Sequence, residues 1–84
     1  MTVEFLDKAW NEYINWQAED RKTLKRINHL IKSIQRDGLD QGLDKPEKLK
    51  YQIGWSRRIN NVDRLVYTVK NERLLIIACK THYN

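Results

Sequence analysis

The first candidate for chemistry is a carboxylate on a stiffened loop. Pro46 restricts the backbone just before Glu47, and the neighbouring lysines are Lys45, Lys48 and Lys50. A carboxylate held in this way is compatible with a general base. The same features fit a surface residue in a loop of mixed charge, so this segment alone leaves both interpretations open.

A histidine and a tyrosine near the end of the sequence form the second candidate. His82 and Tyr83 follow residues 74–79, the most continuous apolar run of the chain, which predicts a central strand buried on both faces. An imidazole and a phenol at the end of a stiff strand suit acid–base chemistry, whereas a terminal His-Tyr pair alone more often has no function. Cys79 in this run is predicted to be a buried apolar filler, because nothing nearby in sequence would activate its thiol.

Three arginines lie in the most strand-like part of the chain. Residues 55–69 predict two strands joined by a polar turn at residues 60–63, and they contain Arg57, Arg58 and Arg64. Alternate residues of a strand point to opposite faces, so Arg57 and Arg58 do not both lie over the core. At least one guanidinium is therefore held outward, where its planar fork suits phosphate. The alternative is that all three are solvated edge-strand charges that prevent aggregation.

A short strand and a first helix precede these segments. Residues 3–6 predict the strand, and Asp7 is predicted to cap the helix that follows it. Helical spacing in that helix places Trp10 and Tyr13 toward the core. Trp16 falls off this apolar stripe, and we interpret it as a helix-end aromatic that partly covers the core, with an interface residue as the alternative.

A second helix is predicted between Asp20, as its N-terminal cap, and Gly38, as a left-handed C-terminal cap. Its apolar stripe consists of Leu24, Ile27, Leu30, Ile31 and Ile34. A loop over residues 38–50 then leads to the hairpin, which gives the element order β-α-α-β-β-β.

Length and composition limit the classes of protein. The 84 residues predict one small domain, residues 1–84, with a single core. Sixteen basic against 11 acidic side chains, with a pI near 9.5, favour nucleic acid or an acidic protein as the partner.

No apolar run approaches the roughly 20 residues of a membrane span, and the N-terminus lacks a signal-peptide pattern, so we predict a cytoplasmic protein. With one cysteine and few other ligands, we predict no disulfide, metal or cofactor.

Together these segments resemble a known family. The matching segments, in order, are Trp16-Gln17, Lys25-Arg26-Ile27-Asn28, Gly42-x-x-Lys45-Pro46-Glu47-x-Leu49-Lys50, Trp55-Ser56-Arg57-Arg58-Ile59, Arg64-Leu65-Val66-Tyr67 and Ala78-Cys79-Lys80-x-His82-Tyr83. The pattern is similar to the YoeB (Txe) branch of the RelE superfamily of toxin endoribonucleases. It implies an α+β fold with two N-terminal helices packed on one face of a small twisted, mainly antiparallel sheet. The chain departs from the pattern in a shorter loop at residues 51–54, in Thr81 and in Asn84.

The resemblance also implies a reaction, which is cleavage of messenger RNA in the ribosomal decoding site without a metal. Glu47 would take the proton from the 2′-hydroxyl, Arg64 would stabilise the phosphorane, and His82 would protonate the leaving 5′-oxygen. Tyr83 would orient the substrate or assist. The residues expected to hold phosphates are Lys45, Lys50, Arg57 and Arg58.

The partners implied are the ribosome with its message, a cognate antitoxin of the YefM/Phd type, and a second copy of the chain. The competing interpretation is a basic module that binds RNA or an antitoxin and cuts no bond. Charge-neutral changes at Glu47 and His82 separate the two, because they would abolish cleavage and leave binding intact.

Overall fold

The computed structural model describes residues 1–81, which form two helices and one five-stranded sheet. The elements are β1 (Thr2–Phe5), α1 (Asp7–Glu19), α2 (Arg21–Asp37), β2 (Glu47–Lys48), β3 (Trp55–Arg58), β4 (Arg64–Lys70) and β5 (Arg73–Thr81). The strand order is β1-β5-β4-β3-β2, with β1 parallel to β5 and the other pairs antiparallel. The predicted α+β class is confirmed. The sequence did not predict β2, which adds one short strand to the expected order.

The second helix follows its sequence signals closely. The Asp20 side chain accepts hydrogen bonds from the backbone N–H groups of Lys22 and Thr23, and the backbone N–H of Gly38 bonds to the Ile34 carbonyl. Gly38 has a φ of 99° and a ψ of 179°, which glycine adopts readily, so it ends the helix as predicted but not in the left-handed helical conformation expected for it. Four of the five stripe residues are buried in the core, namely Ile27, Leu30, Ile31 and Ile34, and Leu24 packs against them.

The first helix corrects two predictions. Leu6 is the N-terminal cap residue and makes no side-chain cap bond, so Asp7 instead lies in the first turn, near the positive end of the helix dipole. Trp10 is 49% exposed, contrary to the prediction, whereas Tyr13 is half-buried and packs against the core as predicted. Trp16 covers the core, as predicted, and donates its indole N–H to the Cys79 carbonyl at 2.7 Å. The buried tryptophan is therefore the one at the end of the helix.

The two faces of the sheet have different environments. Leu65, Tyr67, Leu74 and Ile76 belong to the same buried cluster as the residues of α1 and α2, so the helices cover one face. In β5, Leu75 and Ile77 lie between these core positions and are only half-buried. The prediction that residues 74–79 are buried on both faces is therefore wrong, because both helices pack on the same side.

The turn between β3 and β4 is built as predicted from polar side chains. The Asn60 side-chain oxygen accepts hydrogen bonds from the backbone N–H groups of Val62 at 2.8 Å and Asp63 at 2.6 Å. Such side-chain-to-backbone bonds stabilise the turn in which the chain reverses its direction. Neither helix within residues 1–81 is long and apolar enough to cross a membrane.

Candidate active site on the open face of the sheet

Glu47 lies on the edge strand of the sheet, opposite Ser56 of β3. Paired residues share a face, as do residues two apart on one strand, so Glu47, Ser56, Arg58 and Arg64 lie on the same side. This side, which we call the open face, is opposite the helices. The Glu47 side chain is 64% exposed there. The sheet thus presents a carboxylate to solvent on a short but hydrogen-bonded strand.

The Arg64 guanidinium is held by two contacts on the open face. Its Nε donates to Ser56 Oγ at 3.0 Å, and its Nη2 lies 3.2 Å from Glu47 Oε1. Ser56 is buried, and the Arg64 side chain is only 16% exposed. A cation fixed in this way stabilises a developing negative charge with little reorganisation.

In the part of the chain that the structure describes, two pockets flank the Glu47–Arg64 ion pair, and both are lined by these two residues. The larger, of about 380 Å³, is also lined by Lys48, Leu49, Lys50, Tyr51, Gln52 and Ser56. The smaller, of about 210 Å³, is also lined by Asp44, Lys45 and Arg58. Basic groups therefore lie on both sides of the ion pair, as a chain of successive phosphates requires.

Arg57 does not belong to this basic surface. Its side chain is fully buried on the helix side of the sheet, where the Nε donates to the Tyr67 hydroxyl at 2.8 Å. The other N–H groups donate to Ser33 Oγ and to the carbonyls of Gly38, Gln41 and Leu43. All five guanidinium N–H groups thus have acceptors within the chain. The prediction that Arg57 holds phosphate is not kept, because this side chain has neither exposure nor a free donor.

The contacts of Arg57 shape the loop that leads to Glu47. Gly42 packs closely against them, since a Cβ at this position would lie 2.3 Å from Ser33 Oγ and 2.7 Å from Asp37 Oδ2. Arg36 chiefly, with smaller contributions from Ser33 and the Arg57 guanidinium, lowers the pKa of Asp37 below its usual value. The Asp37 carboxylate therefore lies near the buried guanidinium of Arg57.

Two residues just before Glu47 have left-handed backbone conformations. Asp44 has a φ of 60° and Lys45 a φ of 44°, which side-chain-bearing residues seldom adopt. An ion pair between Asp44 and Arg26 of α2 holds this turn from one side, and the bond from Arg57 to Leu43 holds it from the other. Such conformations persist only where surrounding contacts impose them, and they cluster near functional sites.

The structure brings together five of the eight predicted site residues. Glu47 and Arg64 are in contact, and Lys45, Lys50 and Arg58 line the two adjoining pockets. Arg57 is separated from them, and the predictions for His82 and Tyr83 lie outside the described residues.

Sequence reasoning missed the residues that support the site. Ser56, which holds Arg64, could have been found because it lies two residues before Arg58 and therefore on the same face. No local signal indicated Asp44 or Ser33, because their partners lie on elements that are distant in sequence.

Cys79 is buried in the core, as predicted, and takes no part in the site. Burial, with a smaller contribution from Glu12, raises the pKa of its thiol to about 12. The Glu12 carboxylate accepts hydrogen bonds from the backbone N–H groups of Cys79 at 2.8 Å and Lys80 at 3.2 Å. The thiol is therefore protonated and inert near neutral pH. Among residues 1–81, no three His, Cys, Asp or Glu side chains lie close enough together to bind a metal.

Comparison with known proteins gives consistent results over almost the whole chain. The family model for YoeB-like toxins of bacterial type II toxin–antitoxin systems matches residues 5–83. A curated relative, toxin YoeB from Synechocystis sp., is 51% identical over 85 aligned positions that cover 99% of this chain and 98% of the relative.

Solved structures agree with this relationship. The YoeB dimer from Staphylococcus aureus superposes with a TM-score of 0.92 at 45% identity, covering 99% of this chain and 98% of that one. The YoeB–YefM complex from the same organism gives a TM-score of 0.90 at 44% identity, with the same coverage.

Proposed function

This chain belongs to the family of YoeB-like toxins of bacterial type II toxin–antitoxin systems, and on that premise we propose that it is a ribosome-dependent endoribonuclease. It cuts messenger RNA in the decoding site and so inhibits translation in the cytoplasm. The observation that carries this proposal is the contact of Glu47 with Arg64 at 3.2 Å on the open face, between two pockets lined by cations.

The proposed reaction begins with exchange of the ion pair for a phosphate. When a message enters, Arg64 turns its Nη2 from Glu47 to a non-bridging phosphate oxygen, while its Nε keeps the bond to Ser56. The carboxylate, now released, accepts the proton of the 2′-hydroxyl. The 2′-oxygen then attacks the adjacent phosphorus, and Arg64 stabilises the added negative charge of the phosphorane.

The bond that breaks joins phosphorus to the 5′-oxygen of the next nucleotide. We assign the proton that this oxygen receives to His82, with Tyr83 orienting the substrate. The products are a 2′,3′-cyclic phosphate and a 5′-hydroxyl, so neither a water molecule nor a redox partner is consumed. Lys50 on one side, and Lys45 and Arg58 on the other, hold the neighbouring phosphates. The ribosome holds the message in place, which reduces the entropic cost of in-line attack.

The test compares cleavage of ribosome-bound message by the wild type, Glu47→Gln and Arg64→Met. A general base typically contributes about 10²- to 10⁴-fold and a preorganised charge-stabilising donor about 10²- to 10³-fold, so each variant is expected to lose about 100-fold or more in rate. The matched controls are Glu4→Gln and Arg73→Met, which break another carboxylate–guanidinium pair of the same sheet, 3.0 Å apart and away from both pockets. These controls should cut at the wild-type rate. Full cleavage by Glu47→Gln would refute the assignment of Glu47 as the base, whereas no cleavage by the wild type would support the non-catalytic binding module.

We also propose two protein partners. The S. aureus relatives form a dimer and a complex with YefM, and we expect this chain to form a homodimer and to bind a cognate antitoxin of the YefM/Phd type. An acidic segment of the antitoxin would order on the basic open face and cover the site. Co-expression of the antitoxin should therefore restore growth, and light scattering of the purified toxin should give twice the mass of the 10.2 kDa chain. Unrelieved growth arrest or a monomeric mass would contradict these assignments.

A further inference from the structure

The loop between β2 and β3 exposes an aromatic side chain at the larger pocket. Tyr51 is 95% exposed, the highest value among the exposed large hydrophobic residues of the described chain. It lines the same pocket as Glu47 and Arg64. An isolated exposed tyrosine needs no explanation, but an aromatic ring at the wall of a proposed RNA-cleaving site does.

Contacts at the base of this loop fix its conformation. The backbone N–H of Leu49 donates to the Gly54 carbonyl at 3.0 Å, which closes the loop. Gly54 has a φ of 132°, and a Cβ there would lie 3.0 Å from the Tyr67 carbonyl of the neighbouring strand, so the chain packs tightly where it joins β3. Tyr51 therefore lies in a short loop whose two ends are joined by a backbone hydrogen bond and pack against the neighbouring strand.

We propose that Tyr51 stacks on a nucleobase next to the scissile phosphate, an assignment that rests on the proposed function. Single-stranded RNA is recognised by aromatic side chains that stack on unpaired bases beside cations that hold the backbone. The larger pocket supplies these elements, because Lys48 and Lys50 adjoin Tyr51 and the Gln52 amide can donate to or accept from a base edge. Its volume of about 380 Å³ lies within the usual range of small-ligand sites, about 300–1,000 Å³.

The combination of cations with an aromatic ring favours RNA over a protein segment as the partner of Tyr51. Among residues 1–81, three cations line the larger pocket, and Glu47, the proposed base, is the one carboxylate there. An acidic protein segment would also pair with the cations, but each nucleotide carries a planar base and a phosphate, so RNA uses the ring and the cations together.

The experiment is a double-mutant cycle between toxin and message on programmed ribosomes. Tyr51→Ala should lower the rate of cleavage at subsaturating toxin by about 5- to 150-fold, which corresponds to the 1–3 kcal/mol of one base–aromatic stack. Tyr51→Phe should stay close to the wild type because it keeps the ring. The matched control is Ile53→Ala, which removes an 85% exposed side chain of the same loop that does not line the pocket.

The second arm replaces the base on either side of the scissile phosphate with an abasic residue. Wild type and Tyr51→Ala should converge on one of the two abasic messages, because the stack is already lost there. A Tyr51→Ala rate equal to wild type on the normal message, or a loss of equal size on all three messages, would overturn the stacking assignment and leave the proposed function standing. Weaker antitoxin binding with unchanged cleavage would assign the ring to a protein partner instead. A wild-type toxin that cuts no message would overturn both proposals.

Discussion

Replacing Arg57 with methionine would remove the buried guanidinium while keeping most of its length. The carbonyls of Gly38, Gln41 and Leu43 would lose their donor, and each unsatisfied acceptor costs about 1–3 kcal/mol if it stays buried. The sum, about 3–9 kcal/mol, is an upper bound, since this loop lies near the surface and can turn its carbonyls to water. Methionine also avoids the cost of burying a charge. We therefore expect a loss of about 2–4 kcal/mol in the free energy of unfolding.

The matched control is the next residue along the strand. Arg58 is exposed on the open face, so Arg58→Met should change the free energy of unfolding by less than about 0.5 kcal/mol. It should nevertheless slow cleavage of ribosome-bound RNA, because it lines the smaller pocket. Urea denaturation of both variants measures the stabilities, and amide hydrogen exchange at residues 39–43 shows whether the loop is released. Equal stabilities for the two variants would refute the role given to Arg57.

Three further predictions concern the supports of the site and the core. Gly42→Ala should destabilise the protein more than Gly38→Ala by at least about 1 kcal/mol in urea denaturation, because only the added methyl at Gly42 displaces the Ser33 hydroxyl; equal losses would contradict this. Ser56→Ala should slow cleavage about 10-fold with little change in ribosome affinity, since the Arg64 Nε loses its hydrogen bond to Ser56. An unchanged rate would show that Ser56 does not orient the Arg64 guanidinium. The fold raises the pKa of the Cys79 thiol from 9.0 to about 12 and so favours its protonated form. The resulting stabilisation is complete below pH 9 and is lost as the pH rises toward 12. Between pH 8 and 10.5 the wild type should therefore lose on the order of 2 kcal/mol more unfolding free energy than Cys79→Ala, and parallel pH profiles would contradict the shift.

The parts of the fold predicted correctly from the sequence are those decided by neighbouring residues. The bonds of Asp20 to the first turn of α2, and of Asn60 to the turn between β3 and β4, span two or three residues, so the sequence displays donor and acceptor together. The stripe of α2 was equally clear, because its apolar residues recur at helical spacing and its other positions are polar.

The incorrect predictions concern contacts between distant parts of the chain. Strand alternation required that one of Arg57 and Arg58 point inward, but the choice depends on Ser33 and on the loop after α2, 14 to 24 residues away. Trp10, predicted to face the core, is 49% exposed, whereas Trp16 is buried and bonds to the Cys79 carbonyl, 63 residues later in the sequence. A strand of two residues, such as β2, has no periodicity to detect, so its pairing opposite Ser56 was not predicted.

The prediction of the site residues depended more on the resemblance to the YoeB family than on the residue pattern of the sequence. Glu47 and Arg64 could be chosen as candidates from their residue types, but their contact requires β2, β3 and β4 to be adjacent in the sheet. The residues alone left a catalytic site and a solvated charged surface equally open, and the structure places the two side chains together.

The most direct test of the proposed reaction is the chemistry of the RNA ends left on translated messages. Ribosomes carrying a defined message are incubated with wild-type toxin or with Glu47→Gln, and the ends of the fragments are mapped and identified. Attack by the 2′-oxygen predicts 2′,3′-cyclic or 3′-phosphate ends, paired with 5′-hydroxyl ends, at fixed positions in the decoding frame with the wild type alone. Ends bearing a 3′-hydroxyl and a 5′-phosphate, or the same ends in equal yield with Glu47→Gln, would contradict the mechanism.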